Sequence, residues 1–76
     1  MSTVVRLRSL KFKINARDHN PPHVHVEGKG GKARINLKSF SVMSVDGFNA
    51  ADVKRIIEVV KYYAPELRAT WKEYHG

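Results

Sequence analysis

Residues 23–37 read His23-Val24-His25-Val26-Glu27-Gly28-Lys29-Gly30-Gly31-Lys32-Ala33-Arg34-Ile35-Asn36-Leu37. Apolar and polar side chains alternate on both sides of a glycine-rich centre. Val24 and Val26 fall on one face, with His23, His25 and Glu27 on the other. Beyond the glycines, Ala33, Ile35 and Leu37 share a face, and Arg34, Asn36 and Lys38 take the opposite one. A period of two is that of a half-buried strand. Gly28-Lys29-Gly30-Gly31-Lys32 is the loop that joins the two runs into a hairpin, because glycine accepts positive φ.

The same period extends upstream. Val5 and Leu7 alternate with Arg6 and Arg8, and Leu10, Phe12 and Ile14 with Lys11, Lys13 and Asn15. The phase slips at Ser9, so a bulge or a break between two strands is expected there. Ala16 to Pro22 is a loop by composition. Downstream, a further strand is expected around Phe40 and Val42, with its phase blurred at Met43. Asp46-Gly47 is a turn. Asn49 is a good N-cap, with Asp52 at N3 and Phe48 and Val53 at the hydrophobic-staple positions. Val53, Ile56, Ile57, Val60 and Tyr63 follow at helical spacing. Ala64, preceding Pro65, should end this helix, and Pro65 suits N1 of a second one with Leu67, Trp71 and Tyr74 as its apolar stripe.

These elements predict an α+β fold over residues 1–76, one domain, with a small antiparallel sheet of about four strands and two C-terminal helices on one face. Val24, Val26, Ile35, Ile56, Val60 and Trp71 should be buried together. The uncovered face should then carry Lys11, Lys13, His23, His25, Glu27, Arg34, Asn36 and Lys38, with both histidines exposed and adding little to folding.

The chain has 76 residues, no cysteine and 42% hydrophobic residues. That is enough for a small core, without a disulfide to staple it. Such a chain relies on good packing, a partner, a metal or self-association, for example as a homodimer. No apolar run nears the roughly 20 residues needed to span a bilayer, and Met1-Ser2-Thr3-Val4-Val5-Arg6 has no signal-peptide core. A cytoplasmic protein with no membrane association is expected. The net charge of +7 is uneven: residues 1–45 hold nine basic and two acidic side chains, and residues 46–76 hold five of each. A one-sided basic field attracts nucleic acid, an acidic protein or an anionic surface.

His19, His23 and His25 lie within seven residues. On a strand, His23 and His25 point the same way, roughly 6–7 Å apart, as a chelating pair would. Glu27 shares the face but lies roughly 13 Å from His23, so Asp18 or His19, folding back from the loop, is the better third ligand. Zinc is the metal this donor set suggests, as His19, His23 and His25 or with Asp18; the basic surround opposes cation binding, so at most weak affinity is expected. No other cofactor is implied. Histidines amid cations also suit metal-independent RNA cleavage, in which one imidazole takes the 2′-hydroxyl proton, another protonates the leaving oxygen, and a cation such as Arg34 or Lys38 stabilises the phosphorane. His19, His23 and His25 are the catalytic candidates, and Lys11, Lys13, Arg17, Arg34 and Lys38 the phosphate-binding ones. A scaffold role for the histidines, holding the rigid Pro21-Pro22 turn, is the plain alternative. Either X-Pro bond there is open to the cis form. His25-Val26-Glu27 matches the His-x-Glu of zinc deaminases, but the cysteines that complete that signature are absent. The glycine loop lacks the spacing of a P-loop. Phe12 and Phe40 fall in the core phase, so base stacking on the sheet is not expected.

Asp18-His19-Asn20-Pro21-Pro22-His23-Val24-His25-Val26 closely resembles the signature of a small bacterial family, domain-of-unknown-function family 4160. The likeness also takes in the strand around Phe12 and Ile14, the glycine hairpin, the helix from Asn49 and the Leu67…Trp71 segment. Asp18, His19, Pro21, Pro22, His23 and His25 match the motif. Members look like short cytosolic proteins, often encoded beside a second small protein of family 2442 in what looks like a toxin–antitoxin pair. The resemblance implies a toxin-like chain with an antitoxin-like partner resembling family 2442. Three functions follow: a toxin-like protein that binds or cleaves RNA, a non-enzymatic module docking an acidic protein, or a histidine-based metal-binding protein.

Overall fold

The alternating runs become five strands and the helical runs two helices. In chain order these are β1 (Ser2–Leu7), β2 (Leu10–Ile14), β3 (His23–Gly28), β4 (Gly31–Asn36), β5 (Val42–Asp46), α1 (Ala50–Tyr62) and α2 (Ala64–His75). The computed structural model describes residues 2–75; Met1 and Gly76, the ends of the expected domain, lie outside the described residues. The strands form one antiparallel sheet in the order β1-β2-β3-β4-β5. The fold is therefore α+β as expected, with five strands where about four were expected.

Each irregularity in the pattern has a local cause. The phase slip at Ser9 is a turn between β1 and β2, with Arg8 at φ 53°. The β3–β4 turn is Lys29-Gly30, both at positive φ (51° and 77°), between the paired Gly28 and Gly31. Two positive-φ residues make a turn whose twist matches that of the strands. The blurred phase at Met43 is a bulge: Ile35 pairs with Val42 and Arg34 with Ser44, leaving Met43 as the extra residue.

Asn49 caps α1 in a full capping box, its side chain accepting from the Asp52 N–H while the Asp52 carboxylate accepts from the Asn49 N–H. The break between helices falls at Tyr63, one residue before the expected Ala64. The Tyr63 carbonyl accepts from the Leu67 N–H at 3.0 Å, which starts α2 with Pro65 in the first turn. There an N–H has no helical partner, so none is lost.

Val24, Val26, Ile35, Ile56, Val60 and Trp71 are buried in one cluster with Phe12, Ile14, Leu37 and Leu67. Full burial of each large aliphatic or Phe side chain stabilises by about 1.5–3 kcal/mol. Cover thins at the β5 edge, where Val42 and Val45 are exposed. Tyr74, expected in the core, is also exposed. His75, also exposed, lies one turn beyond Trp71 and stacks its ring on it, so the contacts of α2 run Leu67, Trp71, His75 at steps of four. Among the described residues no helix is long and apolar enough to cross a membrane.

The path of α2 decides where the site lies. Arg68 Nε donates to the Leu37 carbonyl just past β4. Trp71 meets the ring of His23 at the start of β3, and His75 reaches the loop between β2 and β3. The helix thus crosses one end of the sheet.

Candidate functional site

Asp18 is brought to β3 by the turn that follows β2. The Asn15 side chain accepts from the Arg17 N–H at 2.9 Å, and its carbonyl accepts from the Asp18 N–H at 3.2 Å. These bonds fold the chain back, so that Asp18 Oδ2 lies 2.5 Å from His25 Nε2 and 3.1 Å from His23 Nε2. Asp18, His23 and His25 each offer a ligand atom within 4.8 Å of the others.

The two imidazoles differ in their surroundings. His23, expected on an open face, is only 5% exposed. Its ring lies 5.3 Å from that of Trp71, and its Nδ1 sits 2.8 Å from the Pro21 carbonyl. A carbonyl only accepts, so Nδ1 carries the proton and Nε2 faces Asp18. The Asn20–Pro21 bond is cis. His25, whose ring is 5.1 Å from that of His23, keeps 26% of its side chain exposed. Its Nε2 donates to the Asp18 carboxylate, which leaves Nδ1 free to face outward. Filling all three contacts takes three ring protons, and two neutral imidazoles supply two.

Strand register places the cations. Lys13, His25, Arg34 and Ser44 are successive cross-strand partners on β2, β3, β4 and β5. The next row in the same phase is Lys11, Glu27, Lys32 and Asp46. Lys13 pairs with Glu27. That hydrogen bond, with the charges of Lys13, Lys11 and Lys32, holds the Glu27 carboxyl below its usual value. Arg34 Nε donates to Ser44 Oγ at 2.9 Å. A shallow hollow of about 220 Å³ opens beside His25, lined also by Glu27, Lys32, Arg34 and Ser44.

Of the expected site residues, Asp18, His23 and His25 come together, Lys13 and Arg34 flank His25 on the neighbouring strands, and Lys11 lies in the next row opposite Glu27. His19 does not join: it is exposed and lies outside the cluster. Arg17 is exposed in the turn before Asp18. Lys38 lies in the turn after β4 rather than on the sheet face, because the strand ends at Asn36, whose Oδ1 accepts from the Lys38 N–H. His75 was missed. Its ring stacks on Trp71 (3.8 Å, 16°), with Nδ1 2.9 Å from the Trp71 carbonyl and Nε2 2.8 Å from the Asp18 carbonyl. Its only signal in the sequence is a position four residues after Trp71.

No curated protein and no solved structure matches the chain. One family does, over residues 9–72: Domain of unknown function (DUF4160). The match covers β2 to β5, the Asp18–His25 segment, α1 and α2 as far as Lys72, and the chain belongs to that family.

Proposed function

We propose that the protein is a toxin-like cytoplasmic component that binds RNA across its basic sheet face and cleaves it, restrained by an antitoxin-like partner resembling family 2442. One observation carries this reading: His25 sits in register between Lys13 and Arg34, with Asp18 behind it. A carboxylate hydrogen-bonded to one ring nitrogen orients an imidazole and stabilises its protonated form, so the other nitrogen can act as a base. The hollow beside His25 would seat a phosphate against Lys32 and Arg34. His25 Nδ1 would take the 2′-hydroxyl proton as that oxygen attacks phosphorus. Arg34 would stabilise the phosphorane, and the departing 5′-oxygen would take its proton from water. His23 is too enclosed to reach the leaving group, so this reading uses one imidazole where two were expected.

Binding of this kind is weakly sequence-specific and electrostatic, since Phe12 is buried beneath the sheet rather than exposed for stacking. Affinity for a labelled RNA should fall steeply between roughly 50 and 200 mM salt. Arg34→Ala should lower the salt slope by about one. His25→Gln should keep binding and lose cleavage by about 10²–10⁴-fold. Affinity that does not change with salt would rule out the phosphate face and favour an acidic protein as its partner. Undiminished cleavage by His25→Gln would remove the chemistry but leave the binding.

A further inference from the structure

We infer that Asp18, His23 and His25 form a binding site for a borderline divalent transition metal of the zinc type. The inference does not depend on the RNA reading, since it concerns the two Nε2 atoms and needs no nucleic acid.

The donors come from two places in the chain, the Asp18 loop and β3, and meet within 4.8 Å. His23 is built into the protein as a ligand would be. It is 5% exposed, fixed on its far side by the Pro21 carbonyl and flanked by Trp71, with Nε2 turned towards Asp18. A metal-bound histidine almost always donates its other ring N–H to a carbonyl or carboxylate, which sets the tautomer and aims the ligand nitrogen. The Pro21 carbonyl is placed to do this.

Donor chemistry selects the ion. Two imidazole nitrogens and one carboxylate suit Zn²⁺, Co²⁺ or Ni²⁺, whereas Mg²⁺ and Ca²⁺ take oxygen ligands. Three protein ligands would leave one coordination position of a tetrahedral ion open. Bonds near 2.0–2.1 Å space tetrahedral ligand atoms roughly 3.3 Å apart. The 3.1 Å His23 contact is close to that, while the 2.5 Å His25 contact must widen. Asp18 lies in a loop and can retreat, and the partly exposed His25 ring can turn to bring its nitrogen, within 4.8 Å of that of His23, to this spacing.

The basic surround that argued against a cation is weaker at this point than its net charge suggests. Glu27 offsets the charge of Lys13, and Asp18 supplies a negative charge at the centre. Bound metal and the Asp18–His25 hydrogen bond exclude each other. Metal loading therefore takes the imidazole base away from the reading above.

Trp71 is the only tryptophan in the chain, and its ring is 5.3 Å from that of His23. Tag-free protein titrated with Co²⁺ or Ni²⁺ should show saturable quenching of its fluorescence, and calorimetry with Zn²⁺ should give a micromolar or tighter site of one ion per chain. Mg²⁺ should give neither. Asp18→Asn and His25→Ala, which alter the less enclosed ligands, should each weaken Zn²⁺ about tenfold or more, while His19→Ala should not. Absence of saturable Zn²⁺ binding by the folded wild-type chain overturns the inference. So does binding that survives both Asp18→Asn and His25→Ala, or that is lost with His19→Ala. None of these failures touches the RNA reading when its binding and cleavage assays are run with a chelator present.

Discussion

His23 and His25 are two residues apart, yet they carry different burdens. Removing the His23 ring would empty a packed position beside Trp71 and leave the Pro21 carbonyl without its donor. His23→Ala should therefore cost about 2–4 kcal/mol, from a cavity and an unsatisfied buried group. His25→Ala loses one hydrogen bond to Asp18 at a partly exposed site and should cost about 1 kcal/mol. For a domain of this size each kcal/mol shifts Tm by about 4–8 °C, so thermal melts of the two variants separate them. Equal melting temperatures would contradict the burial argument. Alternation could place both rings on one face, but it could not show that Trp71, 48 positions further on, closes over the first. Glu27 offers a test by pH. Its carboxyl is held low in the folded chain, so it stabilises the fold above its ordinary value, 4.5. That contribution is lost as pH falls from there through the lowered value. Glu27→Gln should remove this part of the acid sensitivity, read as urea midpoints at neutral pH and near pH 3. A wild-type loss no larger than that of Glu27→Gln would mean the pair contributes nothing.

The strands and α1 were plain in the sequence because period two and 3,4 spacing are properties of each segment's own residues. The Ser9 slip and the Met43 blur were both real, and the register explains them as a turn and a bulge. α2 was legible only as far as Trp71. Tyr74 and His75 both lie near the stripe, and hydrophobicity favoured Tyr74. The choice went to His75 because its ring nitrogens find the carbonyls of Trp71 and Asp18. Gly31 shows another limit of pattern reading. It looked like loop flexibility, but it opens β4, and a Cβ there would lie 2.7 Å from the Phe48 ring. Gly31→Ala must push Phe48 aside and should cost about 1–3 kcal/mol. Gly31→Ala with Phe48→Leu should recover part of that loss in a denaturant titration. A Gly31→Ala chain as stable as the parent would show that Phe48 moves freely.

The site belongs to no single element: its carboxylate lies in a loop, its imidazoles on the central strand, and its cover on the last helix. That is why the sequence named Asp18 only as one of two possible third ligands and put His19 beside it. Order along the sheet equals order along the chain, and this has a kinetic consequence. Each strand meets its neighbour through a short connection, so little loop entropy delays pairing, and folding should be fast for a sheet protein. The contact from His75 to Asp18 spans 57 positions and, like the packing of α2 on β1, gathers most of the chain. It should form after the rate-limiting barrier. His75→Ala should then steepen the loss of the native state, raising the unfolding rate in a stopped-flow chevron while the refolding limb stays in place. A slower refolding limb would mean that the last helix docks before the sheet is complete.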